Sequence, residues 1–211
     1  MKQINVAVMI SGGGSNLQAL LDAAETGQIP VCIRLVISSR KEAYGITRAR
    51  SRDIPVKVLP ETGNPESVSE LTLGWLAEAG VDLVVLAGYL KKIPEKVVDA
   101  YENRIINVHP SLIPAFSGPG YYGMEVHRAA CRRGVKITGA TVHFVDEGMD
   151  EGPIIMQEAI ALTGDESPEE IGERVLKIEH RLLPNAVGLF AEKRLQVTDG
   201  KVKILERGDE K

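Results

Sequence analysis

Apolar residues fall in short, nearly unbroken runs, and the stretches between them carry helical spacing. Residues 4–10 (INVAVMI), 31–38 (VCIRLVIS), 56–59 (VKVL) and 82–88 (DLVVLAG) read as buried strands. Helical patterns lie between them, over 16–25, about 43–52 and 65–79, the last with Val68, Leu71, Leu73, Trp75 and Leu76 as its apolar positions. Strands that alternate with helices of this length predict an α/β fold: a doubly wound, mainly parallel sheet with helices on both faces. The second half changes character. After a strand at 104–109 and a helix near 123–133, two strands at 136–145 and 153–162 are joined by the acidic turn DEGMDEG, which predicts a mixed sheet there. Ser167-Pro168-Glu169-Glu170 is a helix start signal, and the helix should run to about residue 191, with Pro184 as a kink. A hairpin is expected around Asp199-Gly200, then a frayed tail at 206–211. With no repeat or linker, the chain reads as one domain with halves at 1–100 and 101–205.

The strand RIINVHP (104–110) carries Asn107 and His109 two residues apart, so both should face the same way while Val108 faces the other. Pro110 cannot continue a central ladder. The amide and the imidazole should therefore sit at the strand's C-terminal lip, where open α/β sheets bind ligands.

Between the first strand and first helix lies SGGGSN (11–16). Glycines there let the backbone approach an anion, and a helix N-terminus offers unpaired N–H groups. A monophosphate held by Gly14, Ser15 and Asn16 fits best. A dinucleotide fold would want a third glycine at the position of Leu17 and an acid closing the second strand, where Ser38-Ser39-Arg40 stands instead. That arginine keeps an NADP enzyme open, and a tight turn without ligand is the bland alternative.

The remaining numbers mainly exclude. Over 211 residues, 44% hydrophobic and 26% charged content is ordinary for a globular protein, and a net charge of -4 gives no reason to expect nucleic acid or an anionic membrane as partner. No apolar run approaches the roughly 20 residues that span a bilayer, and the N-terminus lacks signal-peptide form, so a cytoplasmic protein is expected. Cys32 and Cys131 have no metal-type spacing and read as reduced thiols.

NVHPSLIP (107–114), VHFVDEGMDEGPII (142–155), SGGGSNLQAL (11–20) and VVLAGYLKKI (84–93) together resemble the folate-dependent formyltransferases, most closely the branch that acts in purine synthesis. The resemblance covers nearly the whole chain, in order. It implies a doubly wound α/β fold and transfer of a formyl group from 10-formyltetrahydrofolate to the amine of glycinamide ribonucleotide, with no metal.

Carried over by resemblance, the catalytic residues fall on Asn107, His109 and Asp150, and a glutamate that meets the glycinamide part falls on Glu179. An amine attacking a formyl carbon generates an oxyanion, which amide and imidazolium N–H groups stabilise, and a carboxylate beside the histidine favours its charged form. The folate side falls on Leu86, Leu90, Lys91, Lys92, Ile93 and Asn107 and on the turn Asp146, Glu147, Gly148, Met149, with the two lysines drawing the folate carboxylates. His143, two residues beyond Thr141, corresponds to a family histidine near the active site. The chain departs from the common pattern in three places. GNPESVSEL (63–71) has no arginine where the family often has one, LKKI (90–93) is more charged, and SGPGYYG (117–123) is a longer loop that reads as a mobile cover. Related chemistries are formyl transfer to methionyl-tRNA and hydrolysis of formyltetrahydrofolate. The first uses a basic C-terminal domain and the second an added N-terminal domain, neither expected here. A phosphosugar-binding module without catalysis is set against by Asn107, His109 and Asp150 together.

Overall fold

The computed structural model describes residues 3–206. Seven strands join one mostly parallel sheet, and two more form a separate antiparallel pair. The chain divides into two compact units, 1–106 and 107–211.

The first unit contains β1 (Ile4–Ile10), α1 (Ser15–Glu25), β2 (Val31–Ser38), α2 (Gly45–Arg50), β3 (Val56–Val58), α3 (Pro65–Glu78), β4 (Leu83–Leu86) and α4 (Glu95–Ala100). β1 pairs in parallel with β2 on one side and β4 on the other, and β3 extends the sheet beyond β2. Parallel neighbours need crossover connections, which α1, α2 and α3 supply. Val8, Ile10, Val36, Ile37, Val84 and Val85 are fully buried, as the unbroken apolar runs require of a sheet covered on both faces. Helix α3 starts where Asn64 accepts from the Ser67 N–H at 2.7 Å and Pro65 opens the first turn. Its buried face differs from the expected one: Ser69, Thr72 and Leu76 point inward and Leu71 is exposed. The two hydroxyls can be buried because each donates one turn back, Ser69 to Pro65 O and Thr72 to Val68 O.

β5 (Ile105–His109) carries the chain from the first unit into the second. The second unit continues with α5 (Met124–Arg133), β6 (Ile137–Phe144), β7 (Ile154–Ala161), α6 (Pro168–Ala191), β8 (Leu195–Thr198) and β9 (Lys201–Ile204). β6 and β7 are antiparallel, with a register shift between Val142 and His143. Helix α6 begins with a reciprocal capping box between Ser167 and Glu170 and lies against α5 and β6; Pro184 is buried inside it without ending it. β8 and β9 form the expected hairpin, with Asp199 and Gly200 both at positive φ. The boundaries expected for α2, β3 and β4 contract by one to four residues. Helix α4 was not expected, because six residues after Pro94 are too few for a periodic signal. The tail expected at 206–211 lies outside the described residues, apart from Glu206.

Candidate active site

Strand β5 ends at His109, as Pro110 demands; Asn107 meets His143 of β6, and His109 meets Asp150 of the β6–β7 connection. That connection is shaped by glycine. A Cβ on Gly152 would stand 2.0 Å from the Phe144 carbonyl oxygen, so only glycine allows the turn to fold back against β6. Asp146 closes its start by accepting from the Gly148 N–H at 3.0 Å. Asp150 sits at φ 60 and reaches inward.

Asp150 is the centre of the cluster. Its Oδ2 accepts from the Gly118 N–H at 2.9 Å and lies 3.5 Å from His109 Nδ1; its Oδ1 lies 3.7 Å from His143 Nε2. His109 is 5% exposed, and its Nε2 donates to the Phe116 carbonyl at 2.8 Å. With Nε2 committed as donor, Nδ1 is the nitrogen left to accept a proton, and a proton there would face the Asp150 carboxylate.

His143 plays a different part. Its Nδ1 donates to the Phe144 carbonyl at 2.7 Å, and burial pushes its pKa below the usual histidine range, so it stays neutral. Nε2 is then an acceptor, and the Asn107 amide nitrogen donates to it at 3.1 Å. That bond orients the Asn107 amide and leaves its second N–H available. His127, on the buried face of α5, is also held below the usual range, by burial and then by the charge of His109.

Asn107, His109 and Asp150 are therefore brought together as expected, with His143 joining them. Three main-chain groups complete the cluster: the carbonyls of Phe116 and Phe144 and the N–H of Gly118. Sequence reasoning missed these, since backbone groups carry no residue signature. The only hint was that Gly118 lies within the unusually long loop 117–123, with Phe116 just before it. Glu179 is buried on α6.

In the first unit, Gly14 caps α1 at φ 69, and Ser15 and Asn16 form the first turn, where the sequence placed them. Leu86 is buried at the end of β4 and Leu90 is exposed. The Leu90 N–H donates to Ser11 Oγ at 2.9 Å, and Ser11 shares a buried 2.6 Å hydrogen bond with Ser39. Lys91, Lys92 and Ile93 line a cleft of about 440 Å³, together with Tyr89 and the start of α3 at Pro65 and Val68. Burial pushes the Tyr89 hydroxyl up to about 12. Cys32 and Cys131 are free thiols. Among the described residues no group of three or more His, Cys, Asp or Glu side chains could hold a metal ion, and no helix is long and apolar enough to cross a membrane.

The profile of the formyl transferase family matches residues 4–187. A chloroplastic phosphoribosylglycinamide formyltransferase of Arabidopsis thaliana is 40% identical over 205 residues, 95% of this chain and 70% of its own length. The crystal structure of glycinamide ribonucleotide transformylase 1 from Symbiobacterium toebii superposes with a TM-score of 0.90 at 43% identity, covering 97% of this chain and 95% of that one. A formyltetrahydrofolate deformylase from Pseudomonas syringae superposes with a TM-score of 0.87 at 27% identity, covering 97% of this chain and 67% of that one. The main-chain scaffold, the matched span and the identity agree: this chain belongs to the formyl transferase family.

Proposed function

We propose that the protein transfers the formyl group of 10-formyltetrahydrofolate to the amine of glycinamide ribonucleotide, a step of purine biosynthesis. One observation carries this reading: His109 is held with Nε2 on a main-chain carbonyl and Nδ1 toward Asp150, beside an Asn107 amide oriented by neutral His143. The amine attacks the formyl carbon and its oxygen becomes an oxyanion. The free N–H of Asn107 and a proton on His109 Nδ1 stabilise that charge, and one such donor is typically worth about 10²–10³ in turnover. The carbon–nitrogen bond to the folate then breaks, while a proton passes from the attacking nitrogen to the departing one through His109 or a water. Asp150 supplies the countercharge for the protonated imidazole.

The ribonucleotide phosphate is assigned to Gly14, Ser15 and Asn16, and the glycinamide part to Glu179. The folate is assigned to Leu86, Leu90, Lys91, Lys92, Ile93 and Asn107 with the turn from Asp146 to Met149. Lys91 and Lys92 are exposed on the cleft wall and can meet carboxylates there. The protein is read as a cytoplasmic enzyme of a single catalytic domain.

The likeness to a deformylase keeps hydrolysis as a second reading, with water in place of the amine. Folate turnover measured with and without the ribonucleotide separates the two. Strict dependence on the ribonucleotide is expected; equal rates without it would favour the hydrolase.

A further inference from the structure

The three glycine carbonyls of the loop are each tied back. Gly12 O accepts from the Gly45 N–H at 3.1 Å, Gly13 O from Arg48 Nε at 2.9 Å, and Gly14 O from the Gln18 N–H at 2.9 Å. In a trans peptide the C=O of one residue and the N–H of the next point in opposite directions. Pulling these three carbonyls toward α2 and into α1 therefore turns the N–H groups of Gly13, Gly14 and Ser15 the other way. Those three donate to no group among the described residues.

Helix α2 is pressed against the loop to make this possible. A Cβ on Gly14 would stand 2.7 Å from Gly45 Cα, and one on Gly45 would stand 2.5 Å from Ile10 Cδ1. Gly12 and Gly13 face open space. Arg48 is half-buried, and its Nη1 donates to Gln18 Oε1 at 2.9 Å while its guanidinium lies 5.0 Å from the centre of the Tyr44 ring. Among the described residues no carboxylate pairs with it. The nearest in the network, Asp22 on α1, accepts from Gln18 and pairs with Arg52 at 3.1 Å. Among the described residues, the loop thus has three unpartnered N–H donors and, behind them, a cation with no carboxylate partner.

We propose that Arg48 is the positioning residue of this loop and makes it selective for a phosphate monoester in its dianionic form; the identity of the phosphate as the ribonucleotide's rests on the function proposed above. By gripping Gly13 O, the guanidinium fixes the loop's amides, and its charge favours the doubly ionised phosphate over the singly ionised one. A lysine would keep the charge and lose the planar fork that serves Gly13 and Gln18 together.

The test is titration with inorganic phosphate, read on the amide resonances of Gly13, Gly14 and Ser15, in wild type, Arg48→Met and Arg48→Lys. The second proton of phosphate leaves near neutrality, so wild type should bind more tightly at pH 7.5 than at pH 5.5. Arg48→Met should bind roughly tenfold or more weakly at pH 7.5 and lose most of that pH difference. Arg48→Lys should keep the pH difference at an intermediate affinity, and it guards against Arg48→Met simply failing to fold. In turnover, Arg48→Met should raise KM for the ribonucleotide while kcat and KM for the folate stay within about twofold. Unchanged phosphate affinity, equal losses at both pH values, or resonance shifts confined to other residues would overturn the proposal. An enzyme that binds phosphate in this way yet transfers no formyl group would overturn only the assigned reaction. One that transfers formyl with phosphate affinity indifferent to Arg48 would overturn only the role of Arg48.

Discussion

The amide nitrogen of Asn107 donates to His143 Nε2 across 3.1 Å, because His143 commits its one proton, on Nδ1, to the Phe144 carbonyl 2.7 Å away. A buried histidine kept neutral thus sets the direction of an asparagine beside the reacting centre. His143→Leu should lower kcat by about 10 to 100-fold by freeing the Asn107 amide. After Asn107→Ala, the same change at His143 should cost little more. Full additivity in that cycle would mean that His143 does not act through Asn107.

Asn107→Ala and His109→Ala should each lower turnover by about two to four orders of magnitude with the fold retained. Both donors are assigned to one oxyanion, so the double variant should lose far less than the product of the single losses. Steady-state kinetics on the four proteins checks this, and multiplicative losses would separate their targets.

Asp150→Asn keeps the size of the side chain and removes the charge that faces His109 Nδ1. Turnover should fall strongly while the melting temperature changes little. Glu151→Gln, one residue on in the same turn and exposed, should leave turnover within about twofold. A similar loss in both would make the charge of the whole turn, rather than Asp150, the source of the effect.

Burial holds His143 and His127 below the usual histidine range of about 6.5. Below that pH the unfolded chain binds protons that the native state refuses, so stability is complete above about 6.5 and is lost as pH falls. The denaturation midpoint should drop between pH 7 and pH 5, and His127→Leu should flatten that drop. A midpoint whose pH dependence ignores this substitution would remove His127 from the acid response.

The glycine loop offers a paired test of space. Gly13→Val adds a side chain where nothing stands within 4 Å, so it should raise KM for the ribonucleotide without lowering stability. Gly14→Val meets Gly45 Cα and forces a β-branched residue to φ 69, so it should destabilise as well. Thermal melts with KM values distinguish the two, and equal melting temperatures would contradict the packing of α2 on the loop.

The sheet was legible because parallel strands buried on both faces leave nearly continuous apolar runs, as in β1, β2 and β4. The inward face of α3 was not, because Ser69 and Thr72 satisfy their hydroxyls within the helix and so need no polar surroundings. At the candidate site, Asn107 and His109 followed from strand alternation. The motif resemblance pointed to Asp150. The carbonyls of Phe116 and Phe144 and the grip of Arg48 on Gly13 O depend on how loops close, which residue identity alone does not encode.

The central claim is tested most directly by following the formyl carbon itself. 10-Formyltetrahydrofolate labelled with carbon-13 at that position is incubated with enzyme and glycinamide ribonucleotide, and the label is traced by NMR. The account predicts that it appears as the formamide carbon of the ribonucleotide, in step with folate release, and that Asp150→Asn slows this without redirecting it. Label appearing as free formate, or remaining on the folate, would contradict it.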